Sequence, residues 1–252
     1  MKTGLVSISF RKLTPEKIVQ LCRESGLGAI EWGGDIHVPA GDLETARRVG
    51  ELTRKSGLEV ACYGSYCHMT AEEQDTLPVI TETAQALGAP LIRVWAGEHG
   101  SASAAPSERE DVTANTRYLS ELAGRCGMGA AFEYHGNTLT DDADSALRLL
   151  RDIDCENIGC LWQPPIGMST DGCLSSIDKV SRYIRNIHTF TWAGDPPLRL
   201  PLAEGAEKWS RLIERIEHLP GERAMLLEFV RDDDPAQLVK DARTLKEWLK
   251  EG

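Results

Sequence analysis

Two apolar runs, LEVACYG at 58–64 and LIRVWAG at 91–97, set the pattern on which the fold depends. Each run is short, rich in aliphatic residues and closed by a glycine, as expected of a buried strand that ends in a turn. The segment between them is amphipathic and reaches Gly88, a residue type that commonly ends helices. This stretch therefore predicts a strand, a loop, a helix and a second strand, which is one unit of an α/β fold.

The same unit repeats along the whole sequence. Eight runs are predicted to be strands: GLVSIS (4–9), AIEWGG (29–34), LEVACYG (58–64), LIRVWAG (91–97), AAFEYHG (130–136), IGCLWQ (158–163), NIHTFTW (186–192) and AMLLEFV (224–230). Helix-start signals follow the first and the last of these strands. Each signal, Thr14-Pro15-Glu16 or Asp234-Pro235, combines a capping residue with a first-turn proline. Eight such units in about 250 residues match a single (β/α)8 TIM barrel, which we predict to occupy residues 1–252.

A doubly wound open sheet is the alternative architecture for alternating strands and helices. Its usual dinucleotide-binding signature, GxGxxG, does not follow the first predicted strand. The barrel is therefore the favoured fold.

Two loops are long. The segment 97–106 is rich in glycine, alanine and serine and is expected to be mobile, and the segment 193–205 follows the seventh predicted strand.

Charge, the N-terminal sequence and the cysteines limit the binding partners and the cellular compartment that we expect for this protein. The formal charge of −11 and a pI near 5.1 argue against nucleic acid as a partner, since proteins that bind nucleic acids usually carry a basic face. The N-terminal segment lacks the pattern of a signal peptide, and no apolar run approaches the roughly 20 residues of a membrane span. Seven scattered cysteines without a CxxC pair are typical of reduced thiols. We therefore expect a cytoplasmic protein without membrane contact.

Ionisable residues lie inside three apolar strands. Glu133 and Glu228 interrupt the fifth and eighth runs, and His188 interrupts the seventh. A buried carboxylate needs a cation or a dense set of hydrogen bonds, and Arg93 or Arg185 could supply internal ion pairs. Because the carboxyl ends of barrel strands meet at one face, the three residues can instead converge as a Glu/His/Glu set for one Mn²⁺, Mg²⁺, Co²⁺ or Zn²⁺ ion.

The whole chain resembles the xylose isomerase-like TIM barrels, a family that includes sugar and sugar-phosphate isomerases and epimerases. The best local matches are IEWGGDIHVP (30–39), RVWAG (93–97), FEYHGNT (132–138), the H-x-F-x-W of the seventh strand and LLEF (226–229). The resemblance implies a divalent metal held by Glu, Asp, His and Glu, which here become Glu133, Gln163, His188 and Glu228. Gln163 matches the usual Asp in position only, and an amide brings no charge to the metal. Alternatively, Gln163 hydrogen-bonds the substrate or a metal-bound water.

The resemblance also implies a reaction. In such a site Glu133 and Glu228 would move a proton at a carbon next to a carbonyl, with the metal stabilising an enediolate. The expected function is a metal-dependent sugar, keto-sugar or polyol isomerase or epimerase, and the sequence does not choose between the two outcomes.

Further side chains at strand ends are candidate substrate contacts. Four tryptophans could stack on a sugar or merely fill space beneath loops, and polar residues beside them could bind hydroxyl groups. The full set of candidates is Glu31, Trp32, His37, Trp95, His135, Trp162, Trp192 and Arg199.

Two other functions stay open. The family includes apurinic endonucleases with three zinc ions, but their Asp-x-x-His on the sixth strand is missing here. A sugar-binding barrel, or one subunit of a complex, would explain the lost Asp as lost catalysis. A small sugar is the expected partner, and the sequence leaves homo-oligomerisation open.

Overall fold

Eight parallel strands close into a barrel in the computed structural model, which describes residues 1–250. The barrel strands are β1 (Lys2–Val6), β2 (Ala29–Gly33), β3 (Glu59–Gly64), β4 (Leu91–Val94), β5 (Gly129–Glu133), β6 (Ile158–Trp162), β7 (Ile184–Thr189) and, after the hairpin strands β8 (Thr191–Ala193) and β9 (Leu198–Leu200), β10 (Ala224–Leu227). Each strand pairs with its neighbours along the chain, and β1 pairs with β10 to close the ring. The predicted (β/α)8 architecture is confirmed.

Within residues 1–250, eight helices surround the barrel. They are α1 (Pro15–Glu24), α2 (Leu43–Lys55), α3 (Leu77–Leu87), α4 (Pro106–Arg125), α5 (Ala143–Ile153), α6 (Thr170–Val180), α7 (Ala206–Glu217) and α8 (Pro235–Leu249). Short 3-10 helices cover Ser7–Phe10, Ala71–Thr76, Ser181–Tyr183, Leu202–Gly205 and Arg231–Asp233. Gly88 ends α3 at a φ of +77°, a conformation that glycine adopts without strain. Within residues 1–250, no helix combines the length and the apolar character needed to cross a membrane.

Two predicted strands differ from the structure at their ends. The first begins at Lys2 and gives way to the 3-10 helix Ser7–Phe10, so its predicted C-terminal half is not strand. The seventh begins earlier, at Ile184, and its predicted end is a separate strand, β8, that pairs antiparallel with β9. Periodicity detects the buried middle of a strand, but hydrogen-bond partners decide where it stops.

Two predicted substrate contacts, Trp32 and Trp162, lie outside the barrel. The indole N–H of Trp32 donates to Thr53 Oγ1 of α2 at 3.1 Å, and that of Trp162 donates to Ser176 Oγ of α6 at 3.0 Å. Both side chains are fully buried between the sheet and the helices. Successive side chains on a strand point to opposite faces, so a residue beside an inward-facing one points outward. The prediction that these two tryptophans line the barrel mouth is wrong.

Candidate active site

Three ligand-type side chains converge at the carboxyl ends of the barrel strands. Glu133 ends β5, His188 lies near the end of β7, and Glu228 directly follows β10. One ligand atom from each lies within 4.8 Å of the others, and all three residues are buried. Residues that are up to 95 positions apart in the sequence thus form one cluster, because parallel barrel strands end at the same face.

Gln163 lies immediately after β6 and bridges two of these residues. Its Nε2 donates to Glu133 Oε1 at 3.2 Å, and its Oε1 lies 3.3 Å from His188 Nδ1. The position inferred by resemblance therefore falls inside the cluster. The amide oxygen faces the same space as the other ligand atoms, while the amide nitrogen fixes Glu133.

Glu31 holds the imidazole of His188 at its Nε2 atom, and the other ring nitrogen, Nδ1, faces the cluster. Its Nε2 lies 3.1 Å from Glu31 Oε2, whereas its Nδ1 faces Glu228 Oε2 at 3.3 Å, Gln163 Oε1 at 3.3 Å and Glu133 Oε1 at 3.7 Å. All three oxygens around Nδ1 are hydrogen-bond acceptors. Such a group of acceptors needs a shared proton or a cation at its centre.

Arg93 is the cation beneath the cluster. Its Nε donates to Glu31 Oε1 at 3.1 Å and its Nη1 donates to Glu133 Oε2 at 2.5 Å, with all three side chains buried. Arg185 bonds the main-chain oxygen of Glu156 instead. The alternative of internal ion pairs with arginine is therefore correct for Glu133, but within residues 1–250 no arginine pairs with Glu228.

The two glutamates have different electrostatic environments. Burial opposes ionisation of both, but the Arg93 guanidinium and His188 outweigh it at Glu133 and hold the pKa of that carboxyl well below its usual range. At Glu228 burial dominates over the attraction of His188, with Glu133 adding repulsion, so its pKa is raised. The pKa of His188 is raised because Glu228 and Glu31 outweigh the cost of burial.

The donor set fits a divalent cation. Among residues 1–250, no hydrogen-bond donor of suitable geometry reaches the buried Glu228 Oε2, and this oxygen belongs to the same cluster as ligand atoms of Glu133 and His188 and the amide oxygen of Gln163. Two carboxylates, one imidazole and one amide oxygen suit Mg²⁺, Mn²⁺, Co²⁺ or Zn²⁺, and the residues do not select one ion.

Aromatic rings form one wall above the cluster. Trp95 donates its indole N–H to Glu133 Oε2 at 2.5 Å and contacts the rings of Tyr66, His68 and His135 at centroid distances of 5.3, 4.6 and 5.1 Å. The predicted contacts Trp95 and His135 therefore do lie together at the mouth. Their role in binding stays a prediction.

A second group of rings stands beside Glu228. Trp192 on β8 packs on Phe229 at 4.8 Å and on Phe190 at 5.3 Å, and no hydrogen-bond partner for its buried indole nitrogen is found in the described part of the chain. The guanidinium of Arg199 on β9 lies 5.1 Å from the Phe229 ring and pairs with Asp233 in an exposed ion pair. Trp192 and Arg199 are thus near the site, on the hairpin that follows β7.

Two polar candidates do not face the substrate space. Both oxygens of Glu31 are occupied, by Arg93 and His188, and the side chain is fully buried. The ring nitrogens of His37 lie 3.0 Å from Ser7 Oγ and 3.2 Å from the Leu13 main-chain oxygen. Contacts within the protein already satisfy these groups, so the structure does not support them as substrate contacts.

Sequence reasoning missed Phe229 and the double role of Arg93. Phe229 follows Glu228 at a φ of +53°, and its ring packs on Trp192. A signal for Arg93 was present, because a lone arginine in an apolar strand needs buried acids, yet the strand alone could not show that it pairs with two.

The model of the xylose isomerase-like TIM barrel matches residues 19–251. The chain belongs to this family. The resemblance in the sequence is thereby confirmed, and the cluster lies where the β5, β6, β7 and β10 strands end.

A curated relative is the 3-dehydroshikimate dehydratase of Bacillus anthracis, which is 31% identical over 148 residues. That alignment covers 50% of this chain and 51% of the relative, so the chain matches about half of the relative's length.

Two solved structures share the fold. The crystal structure of the probable 3-DHS dehydratase involved in petrobactin synthesis from Bacillus anthracis has a TM-score of 0.83 at 24% identity, over 98% of this chain and 99% of that one. The 3-keto-D-glucoside 4-epimerase from E. coli has a TM-score of 0.73 at 16% identity, over 98% and 99%. Both are similar in fold to this chain.

Proposed function

We propose that this chain is a divalent-metal-dependent enzyme that removes a proton from the carbon next to a carbonyl in a polyhydroxylated ketone. The convergence of Glu133, His188 and Glu228 within 4.8 Å carries this proposal. Glu133, Gln163, His188 and Glu228 would hold the metal. When bound, the metal would stabilise negative charge on the carbonyl oxygen.

The first candidate reaction is dehydration of 3-dehydroshikimate. The 31% identity to the dehydratase of Bacillus anthracis and the TM-score of 0.83 support it. In this ketone a hydroxyl group lies on the carbon beyond the acidic one, so loss of the proton allows that hydroxyl to leave as water. The two groups of aromatic rings above the cluster suit the faces of a six-membered ring.

Two arginines could receive the carboxylate of such a substrate. Arg11 donates to Tyr66 Oη and pairs with Asp35, while Arg199 lies over Phe229. The Arg199–Asp233 pair is exposed and the Arg11–Asp35 pair is partly exposed. Because pairs in contact with solvent contribute only about 0–1 kcal/mol, either guanidinium can exchange its partner for a substrate. Arg199 thus keeps its proposed role in substrate binding, now toward a carboxylate.

Isomerisation or epimerisation of an unphosphorylated sugar is the second candidate. It is favoured by the presence of two glutamates at one point, which is what proton removal and return at one carbon would use. The aromatic mouth would also suit a sugar, with Trp95, His135 and Trp192 as contacts.

Direct assay tests the proposal. The protein, loaded in turn with Mn²⁺, Mg²⁺, Co²⁺ or Zn²⁺, is incubated with 3-dehydroshikimate and with a panel of ketoses and aldoses. We expect the dehydration of 3-dehydroshikimate to appear as the ultraviolet absorbance of an aromatic product, and to stop when a chelator removes the metal. If the sugars react and 3-dehydroshikimate does not, the second candidate is correct. If none reacts with any metal, a binding function replaces both.

A further inference from the structure

The carboxylates of Glu133 and Glu228 differ in their freedom to act on a substrate. Glu133 Oε2 receives two N–H donors, from Arg93 Nη1 at 2.5 Å and from Trp95 Nε1 at 2.5 Å. Its other oxygen, Oε1, receives Gln163 Nε2 at 3.2 Å. Every oxygen of this carboxylate is therefore committed to a donor from the protein, and we call Arg93, Trp95 and Gln163 the donor frame of Glu133.

The donor frame fixes what Glu133 can do. A carboxylate oxygen that already accepts two N–H bonds has no room for a further proton, and charge-assisted bonds of this kind stabilise the ionised form. Only Oε1 faces His188 Nδ1, at 3.7 Å, and the rest of the cluster. Glu133 can serve as a ligand through that oxygen, but it is poorly placed to take a proton from carbon.

Glu228 has the opposite surroundings. Its Oε2 is buried and accepts no hydrogen bond of suitable geometry, and its ionic contact is with His188 Nδ1 at 3.3 Å. It directly follows β10 and precedes Phe229, whose ring belongs to the aromatic group at the mouth. Among the described residues, this carboxylate has no set of N–H donors like the one around Glu133, so one oxygen can bind the metal while the other keeps a lone pair for a proton.

We propose that the site has a single proton-transferring carboxylate, Glu228, and that Glu133 is a fixed ligand held by its donor frame. Arg93 and Trp95 are then positioning residues that act through Glu133. This inference rests on the proposed function and narrows it, because true epimerisation needs a donor on each face of the carbon, whereas one base suffices for dehydration.

The dehydration balances with Glu228 alone. Its carboxylate takes the proton from the carbon next to the carbonyl, and the electrons of that C–H bond form a C=C bond as the C–O bond to the neighbouring hydroxyl breaks. Glu228 then returns the same proton to the departing hydroxyl, which leaves as water. The carboxylate is regenerated, and the resulting ring dienone becomes aromatic when a second ring C–H proton is lost and the carbonyl oxygen gains a proton, so no oxidant or reductant is consumed.

Matched glutamine variants test the roles of the two glutamates. With Mn²⁺ at saturation and 3-dehydroshikimate or a sugar in D₂O, E228Q should lose product formation and deuterium exchange by 10²- to 10⁴-fold while still binding Mn²⁺. E133Q should weaken Mn²⁺ binding more than E228Q does and, at saturating Mn²⁺, should lose clearly less turnover than E228Q. E228D, which keeps a base on a shorter side chain, should exceed E228Q. The reverse ranking of the two glutamine variants, or formation of an epimer of any recovered sugar, would overturn the single-base assignment.

A second experiment needs no substrate. Trp95→Phe removes the indole donor and keeps an aromatic ring, so it should weaken Mn²⁺ binding about tenfold in the wild type and in E228Q, but clearly less in E133Q, where the charge it assists is gone. Free Mn²⁺ measured by electron paramagnetic resonance gives each affinity. Equal losses in both glutamine backgrounds would show that Trp95 does not act through Glu133 and would refute the donor frame. If no substrate reacts, the proposed function and the single-base role both fail, and this coupling still decides whether the frame exists.

Discussion

At the scale of single residues, the buried charges form one connected group. Arg93 pairs with Glu31 and Glu133, and Glu31 in turn contacts His188. Removal of one partner from a buried ion pair leaves an uncompensated charge. The resulting loss of stability is larger than the net stabilisation that the intact pair contributes. The group is therefore sensitive to loss of Arg93.

Arg93→Met tests this sensitivity, because methionine fills similar space without charge. We expect the free energy of unfolding of the metal-free protein at neutral pH to fall by about 3–5 kcal/mol. Urea denaturation measures it. The control is Arg48→Met, which breaks the half-exposed pair between Arg48 and Glu16 and should cost less than about 1 kcal/mol. Equal losses in the two variants would contradict the buried network.

The sequence predicted most of this cluster, for a physical reason. Glu133, His188 and Glu228 stand out because a charged group is costly in an apolar strand unless other groups compensate it. Trp32 and Trp162 were misplaced because a tryptophan is equally at home on either face of a barrel strand. Gln163 could be placed only by resemblance. An uncharged amide at the end of a strand has no large burial penalty, so nothing in the sequence pattern distinguishes it as a site residue.

At the scale of elements, the hairpin of β8 and β9 depends on α8. Asp241 on α8 accepts the main-chain N–H of Leu202 at 2.9 Å and Gln237 Nε2 at 2.7 Å. The main-chain oxygen of Leu202 accepts Thr191 Oγ1, and Thr191 precedes Trp192. A chain of hydrogen bonds thus runs from α8 to the aromatic side chain beside Glu228.

Asp241→Ala should loosen that hairpin. The buried N–H of Leu202 would lose its acceptor, at a cost of about 1–3 kcal/mol. We expect faster amide hydrogen exchange in residues 191–205, measured by mass spectrometry, and unchanged exchange in α2 on the far side of the barrel. Asp241→Asn keeps an acceptor oxygen and should behave like the wild type in this segment.

The difference in stability between the wild type and Asp241→Asn should depend on pH. Burial raises the pKa of Asp241 despite its bonds to Leu202 and Gln237. A raised pKa in the folded state means that the stabilising contribution is complete below the ordinary value of 3.8 and is lost as the pH rises through the folded-state pKa. Asp241→Asn lacks this loss, so its stability relative to the wild type should increase from acidic to neutral pH. Chemical denaturation at several pH values checks the sign.

Element boundaries show the limit of sequence patterns. The eight apolar runs located all eight barrel strands, because burial on both faces imposes continuous apolar sequence. The hairpin after β7 was not predicted, because Thr191 and Trp192 of β8 were assigned to the seventh strand and the segment 193–205, which contains β9, was predicted as a long loop. Both strands of the hairpin are three residues long and partly exposed. Such short antiparallel strands are defined by cross-strand hydrogen bonds, which periodicity does not encode.

At the scale of the whole molecule, the closed barrel explains how the site forms. Eight short strands bring side chains from positions 31 to 228 to one face, and outward-facing residues pack under the helices. A single domain over 1–252, a cytoplasmic location and homo-oligomerisation stay predictions. The site can be tested without any of them, because its ligand atoms come from one chain.

Metal binding should stabilise the entire fold, because the ligand atoms converge only when the barrel is closed. At a Mn²⁺ concentration of 100 times Kd, linkage adds about 2.7 kcal/mol to the free energy of unfolding. For a chain of this size that corresponds to an increase in Tm of roughly 5–10 °C, measured by calorimetry with and without a chelator. His188→Ala should abolish the increase, whereas His218→Ala, which alters an exposed histidine at the end of α7, should retain it. An equal increase in both variants would place the ion elsewhere, since a cation held by the barrel cluster cannot be indifferent to the loss of its only imidazole.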